Sequence, residues 1–131
     1  MHAPLRRHPP LLSGERHAAR AVDAAQAVLE RTGHAEAGGP WVPVGAGVHT
    51  GVAWVGAVGE GTHTTLTALG DAVNTTARLA SAATAGEILV GVDAADAAAL
   101  DAGLPKRSLD VRGKAGAVEV VSLTVGSAVA A

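Results

Sequence analysis

The 131-residue chain has no cysteine, no phenylalanine and no tyrosine. Without cysteine it can form neither a disulfide framework nor a thiolate metal site. With two Trp as its only aromatics, its 48% apolar content is carried by Ala, Val and Leu. Such side chains each bury little area, so this single domain's worth of chain is expected to be modestly stable. No apolar run approaches the roughly 20 residues that span a bilayer. The formal net charge of −2 gives no electrostatic case for nucleic acid or an acidic membrane surface as partner. The opening MHAPLRRHPPLL is basic, but it is too rich in Pro and too short of apolar length for a secretory signal. A soluble, cytoplasmic protein is the expectation.

Several familiar motifs are also missing. The six histidines (His2, His8, His17, His34, His49 and His63) show no H-x-x-x-H or H-E-x-x-H spacing. Gly45-x-Gly47-x-x-x-Gly51 misses the dinucleotide spacing by one residue and leads into a strand rather than a helix. Gly113-Lys114 lacks the upstream glycine and the Ser/Thr of a phosphate loop. Asn74-Thr75-Thr76 is formally a glycosylation sequon, without meaning in a chain with no export signal.

The pattern that is present predicts an α+β fold. Residues 1–12 hold three of the six prolines and read as an irregular arm. Ser13 can cap a helix from about 14 to 32, with Ala18, Val22, Ala25 and Leu29 as its apolar stripe and Gly33 as its stop. Residues 35–40 are a linker. Val42, Val44, Ala46 and Val48 alternate as a half-buried strand, with 52–58 as its hairpin partner and 59–65 as a loop. A helix over about 71–84, a strand over 87–91 and an alanine-rich helix over 93–100 follow. Strands near 108–112 and 117–125 close the chain around the turn 113–116, and a tail begins at 126. This order implies a mostly antiparallel sheet with helices on one face.

The most informative stretch is Gly70-Asp71-Ala72-Val73-Asn74-Thr75-Thr76-Ala77-Arg78-Leu79. At about 3.6 residues per turn, Asn74 and Arg78 lie one turn apart on one helix face. An amide beside a planar five-donor cation near a helix N-terminus suits phosphate and sugar. A helical wheel gives Val73, Ala77 and Ala80 as the core stripe, with Asn74, Arg78 and Ser81 at its margin. Asp71 suits an N-cap or first-turn acid rather than a metal ligand.

The run from Val44 to Val90 resembles the C-terminal part of class III adenylate/guanylate cyclase catalytic domains. Four anchors in order carry the resemblance, which extends over about 15–125. They are Gly47-Val48-His49-Thr50-Gly51, then Gly70-Asp71-x-Val73-Asn74-x-x-Ala77-Arg78-Leu79, then Gly86-Glu87-Ile88-Leu89-Val90. The last is Val111-Arg112-Gly113-Lys114 with Val118-Glu119-Val120. The resemblance implies a ferredoxin-like, cyclase-type sheet and a reaction in which a ribose 3′-hydroxyl attacks the α-phosphate of its own nucleotide. It gives Asn74 the ribose and Arg78 the charge on the reacting phosphate. Thr67, seven residues before Asn74, matches the position that reads the purine, and Arg112 matches the residue that reaches the outer phosphates, with Lys114 as a second candidate. Plain readings stand beside these: a strand-exit threonine for Thr67 and a solvated turn charge for Arg112.

One departure is large. The family's domain begins with a strand and a hairpin that carry two metal-binding aspartates. Here only an arm without acids precedes the first helix, and the start reads as a truncation that also removes the residue partnering Thr67. The resemblance implies Mg or Mn as cofactor, with ligands absent from this chain. It implies a purine nucleoside triphosphate as substrate and a homodimer, or a heterodimer with a full cyclase domain, as the assembly. The chain then reads either as the Asn/Arg half of a nucleotidyl cyclase, with ATP favoured over GTP, or as a non-catalytic cyclase-like dimerisation or regulatory module. A generic α+β domain is the third reading.

Overall fold

A computed structural model describes residues 16–110 and 117–126. The first helix, α1 (His17–Arg31), buries Ala18, Val22 and Leu29 and half-buries Ala25, the stripe its spacing predicts. It ends where the sequence places its stop. Gly33 takes φ +95, and the His34 and Gly33 N–H groups donate to the Leu29 and Glu30 carbonyls, closing the helix in a Schellman motif. Ser13 lies outside the described residues. His34 then ties the helix end to the next strand. Its Nδ1 faces the Leu29 carbonyl at 3.0 Å, and its Nε2 accepts from the Val44 N–H at 3.2 Å. A backbone N–H can only donate, so the ring is neutral with its proton on Nδ1.

The strands form two sheets. The larger has the order β1-β4-β6-β5, built from β1 (Ala46–Val48), β4 (Glu87–Gly91), β6 (Ala117–Thr124) and β5 (Lys106–Asp110). In it β1 runs parallel to β4, with Ala46 opposite Ile88, while β4–β6 and β6–β5 are antiparallel. The smaller is the hairpin of β2 (Trp54–Val58) and β3 (Thr65–Leu69), with Gly56 opposite Thr67. The α+β class therefore holds, in a mixed sheet.

Three local expectations are corrected. The segment 52–58 does not pair with 42–48; it pairs with β3, which begins at the last residue of the expected loop 59–65 and runs on towards α2 (Asp71–Ala82). Gly59 and Gly61 suggest a loop, but they make only the tight connection, and Thr65-Leu66-Thr67-Ala68-Leu69 has the β-branched alternation of a strand. The helices also lie on both faces of the larger sheet. Ile88, Val90 and Val121 pack with Val22 and Leu29 of α1 and with Ala94 and Ala95 of α3 (Val92–Ala97). Leu89 and Val120 point the other way and pack on Leu79 of α2. All five residues of β4 are buried, as a central strand covered on both faces requires. Finally, the core-facing residues of α2 are Thr75 and Leu79, not Val73, Ala77 and Ala80. Val73 is half-buried and the two alanines are exposed. A wheel weighted by hydrophobicity passes over threonine, yet Thr75 is fully buried here.

The Thr75 hydroxyl has no hydrogen-bond partner among the described residues. A buried donor without a partner carries a desolvation penalty of about 1–3 kcal/mol, which an apolar group of the same shape avoids. Thr75→Val is therefore expected to raise the urea midpoint, by about 1 kcal/mol in stability. A lower midpoint would reveal a bond that the hydroxyl makes in solution.

The outer strand β5 carries Lys106, Arg107 and Asp110, all exposed, and charge of this kind discourages pairing at a sheet edge. Arg107 also reaches inward to Glu87, a buried carboxylate on the central strand. Glu87 accepts from the Thr84 backbone N–H at 3.0 Å, the Thr84 hydroxyl at 3.3 Å, the Arg107 guanidinium at 3.3 Å and the Ser122 hydroxyl. Burial alone would push this carboxyl up. The Ser122 hydroxyl, the Thr84 N–H, the Arg107 charge and the Thr84 hydroxyl together outweigh it and hold the group below the usual carboxylate range.

The sign of the pH dependence follows from that depression. At acid pH the unfolded chain binds a proton at Glu87 before the folded chain does, so stability falls with pH there. The contribution is fully present above the ordinary glutamate value of about 4.3 and is lost as pH drops through the lower folded value. Urea midpoints measured from pH 7 to pH 3 should decline in the parent chain, and Glu87→Gln should flatten that decline. An unchanged slope in the variant would remove Glu87 from the account.

Candidate active site

Helix α2 begins at a backbone position that only glycine occupies freely. Gly70 takes φ +134, and its carbonyl accepts from the Val73 and Asn74 N–H groups at 3.1 and 3.2 Å. Asp71 is the first helical residue and supplies a first-turn acid, the structural role its position suggests. The helix faces the sheet through Ala72, Thr75, Thr76, Leu79 and Ala83. With about 100° between successive residues, Asn74 and Arg78 project from the side opposite that line. They lie farther from the core than the margin the sequence reading gave them, and both are exposed. Among the described residues neither side chain has a hydrogen-bond or ion-pair partner. An amide and a guanidinium one turn apart are thus presented outward, away from the larger sheet.

Thr67 stands on β3 of the small sheet, half-buried, on the strand that enters α2 through Gly70. Its hydroxyl makes no hydrogen bond to Asn74 or Arg78 among the described residues. Arg112 and Lys114 lie outside the described residues. The structure therefore brings Asn74 and Arg78 together and sets Thr67 on the neighbouring element. The sequence reading missed the Glu87 cluster, which ties the end of α2 to the sheet. Its signal was a lone acid opening the apolar run Glu87-Ile88-Leu89-Val90.

No three His, Asp or Glu side chains gather to hold a cation among the described residues. No helix among them is long and apolar enough to cross a membrane.

Residues 11–123 match the adenylate and guanylate cyclase catalytic domain, and the chain belongs to that family. No curated protein matches it. Among solved structures it is similar to the guanylate cyclase domain of RhGC from Catenaria anguillulae in complex with GTP. That likeness has 24% identity and a TM-score of 0.62, over 84% of this chain and 60% of that one. The catalytic core of a rhodopsin-guanylyl cyclase with converted specificity, in complex with ATPαS, gives 24% identity and 0.61 over the same shares. The guanylyl cyclase Cya2 gives 28% identity and 0.51, over 60% of this chain and 41% of that one. The chain thus spans between about two-fifths and three-fifths of the length of these structures.

Cyclase domains generally use divalent metals. The described residues do not fit such ions, since no carboxylate cluster is present among them.

Proposed function

We propose that this domain supplies the Asn74/Arg78 half of a composite nucleotidyl cyclase site, completed by a partner domain that carries the metal-binding carboxylates. The observation that carries the reading is the outward presentation of both side chains, without a partner among the described residues. The pair can meet a substrate only in a space that its own sheet does not enclose. In the reaction, the ribose 3′-hydroxyl gives up its proton to solvent and its oxygen bonds to the α-phosphorus, while the bond from that phosphorus to the α–β bridging oxygen breaks, releasing pyrophosphate. Asn74 orients the ribose, and Arg78 neutralises charge that grows on the α-phosphate oxygens, a role a five-donor cation suits. Thr67 reads the base, and Arg112 and Lys114 hold the outer phosphates.

The threonine hydroxyl donates and accepts, so it can serve the amine and N1 edge of adenine. Guanine presents a carbonyl and an N–H there, which a rotating hydroxyl also meets, so Thr67 discriminates weakly by itself. Threonine at this position resembles the adenylate-forming members, and ATP is the proposed substrate.

The purified chain with magnesium or manganese is expected to form no cyclic nucleotide, because two-metal phosphoryl transfer needs carboxylates to hold the cations. Mixing it with a cyclase domain that keeps its metal carboxylates but lacks its own Asn/Arg pair should restore product, faster from ATP than from GTP. Activity of the chain alone would overturn the half-site reading. Silence of the mixture would favour the non-catalytic module. A clear preference for GTP would remove the adenylate assignment alone.

A further inference from the structure

We propose that Gly47 and Gly51 are positioning residues for Asn74 and Arg78, an inference that rests on the cyclase reading of that pair. Helix α2 crosses β1 and the segment after it at backbone contact. A Cβ on Gly47 would stand 2.6 Å from the Ala80 nitrogen, 2.9 Å from the Thr76 carbonyl oxygen and 2.9 Å from the Leu79 Cβ. A Cβ on Gly51 would stand 2.6 Å from the Ala72 Cβ, with its next neighbour, the Ala72 Cα, at an ordinary 3.8 Å. Neither glycine lies in the left-handed region, so their backbone conformations would admit any residue and only space excludes a side chain.

The contacts bracket the functional pair. Ala72 precedes Asn74, Thr76 lies between Asn74 and Arg78, and Leu79 and Ala80 follow Arg78. At the far end, a Cβ on Gly45 would stand 2.8 and 2.7 Å from the Ala83 and Thr84 carbonyl oxygens, and the Thr84 N–H is held by Glu87 at 3.0 Å. The helix is therefore fixed at its C-terminus and rests on a bare strand along its length. The atoms opposing Gly47 are backbone atoms and a Cβ, none of them the end of a flexible chain. A methyl there, or at Gly51, can be accommodated only if α2 and the segment beneath it move apart. The displacement needed is about 1 Å, and a misplacement of that size can cost about 10²-fold in rate without any contact to the reacting atoms.

The test separates positioning from simple packing through a compensating pair. Gly51→Ala presses on one methyl group, that of Ala72. Combining it with Ala72→Gly removes that methyl, while a glycine inside the helix lowers stability. In the full chain mixed with the complementing cyclase domain, Gly51→Ala should lower kcat by about 10²-fold with KM kept. The double variant should recover most of that loss while melting at a lower temperature than the single variant. NMR contacts between residues 51 and 72 and the sheet should show α2 displaced in the single variant and returned in the double one. Gly38→Ala, where a Cβ meets nothing within 4 Å, is the control expected to change neither reading. Gly47→Ala should act in the same direction as Gly51→Ala; should it fail to fold, the Gly51 series still decides.

An undisplaced helix in Gly51→Ala, or no recovery in the double variant, overturns the positioning role. Parent chain that is silent in the mixture, or variants Arg78→Ala and Asn74→Ala that keep full activity, overturn the cyclase half-site instead. In that case the NMR displacement and its reversal still decide whether the glycines place α2.

Discussion

Arg78→Ala is expected to lower turnover of the complemented enzyme by about 10²–10³-fold, equivalent to about 2.7–4 kcal/mol of transition-state stabilisation. Asn74→Ala should fall in the same direction. The contacts these groups make strengthen as charge develops on the phosphate and as the 3′-oxygen comes into line. Their loss should therefore reduce kcat far more than it raises KM. The structure makes the experiment clean. Both residues are exposed and, among the described residues, bonded to nothing, so truncation removes no packing and leaves no buried partner stranded. Melting temperatures should stay close to the parent's, as they do for most surface substitutions. A variant that mainly raises KM at intact turnover would show that the pair binds substrate uniformly and does not act on the transition state.

Leu79→Ala, on the opposite side of the same helix, should leave the surface chemistry in place and remove much of the fold's stability, about 2–5 kcal/mol. Leu79 is fully buried against Leu89 and Val120, with Ala83, Leu109 and Val118 around them. That cluster has three buried members, so no bulky neighbour stands ready to collapse into the cavity. A core of Ala, Val and Leu gives a domain at the low end of the usual 5–15 kcal/mol, and losing several of these approaches global unfolding at 37 °C. Urea denaturation should show the midpoint falling at a constant slope. A loss below about 1 kcal/mol would mean that the second face of the sheet contributes little.

The two faces of α2 also show what was legible in the sequence. The Asn74–Arg78 spacing was readable because helical periodicity alone puts both on one side. The stop at Gly33 and the stripe on α1 were readable for the same local reason. The buried line of α2 was not, because it depends on what lies beneath. Against glycines 45, 47 and 51 a helix can settle on Ala72 and Thr76 more closely than on larger residues, and no helical wheel contains that strand. The partner of β1 was hidden too. Val48 and Trp54 are near in sequence, which favours a hairpin, but the pairing that buries Val48 against Ile88 and Val90 lies across a long excursion. Glu87 was read as part of a motif and not as an anchor, since Ser122 and Arg107 come to it from strands distant in the chain.

That excursion sets an order of events in folding. The β2–β3 hairpin closes a short loop and α2 forms within one segment, steps that take on the order of microseconds or less. The β1–β4 ladder, which adds β1 to one side of the larger sheet, joins Ala46 to Ile88 only after the hairpin and α2 have been looped out between them. Parallel pairing of this kind meets its loop-closure entropy before any contact rewards it. The element that carries Asn74 and Arg78 is thus local in sequence, yet its seat on Gly45 and on Gly47 of β1 belongs to a sheet that closes across the whole excursion.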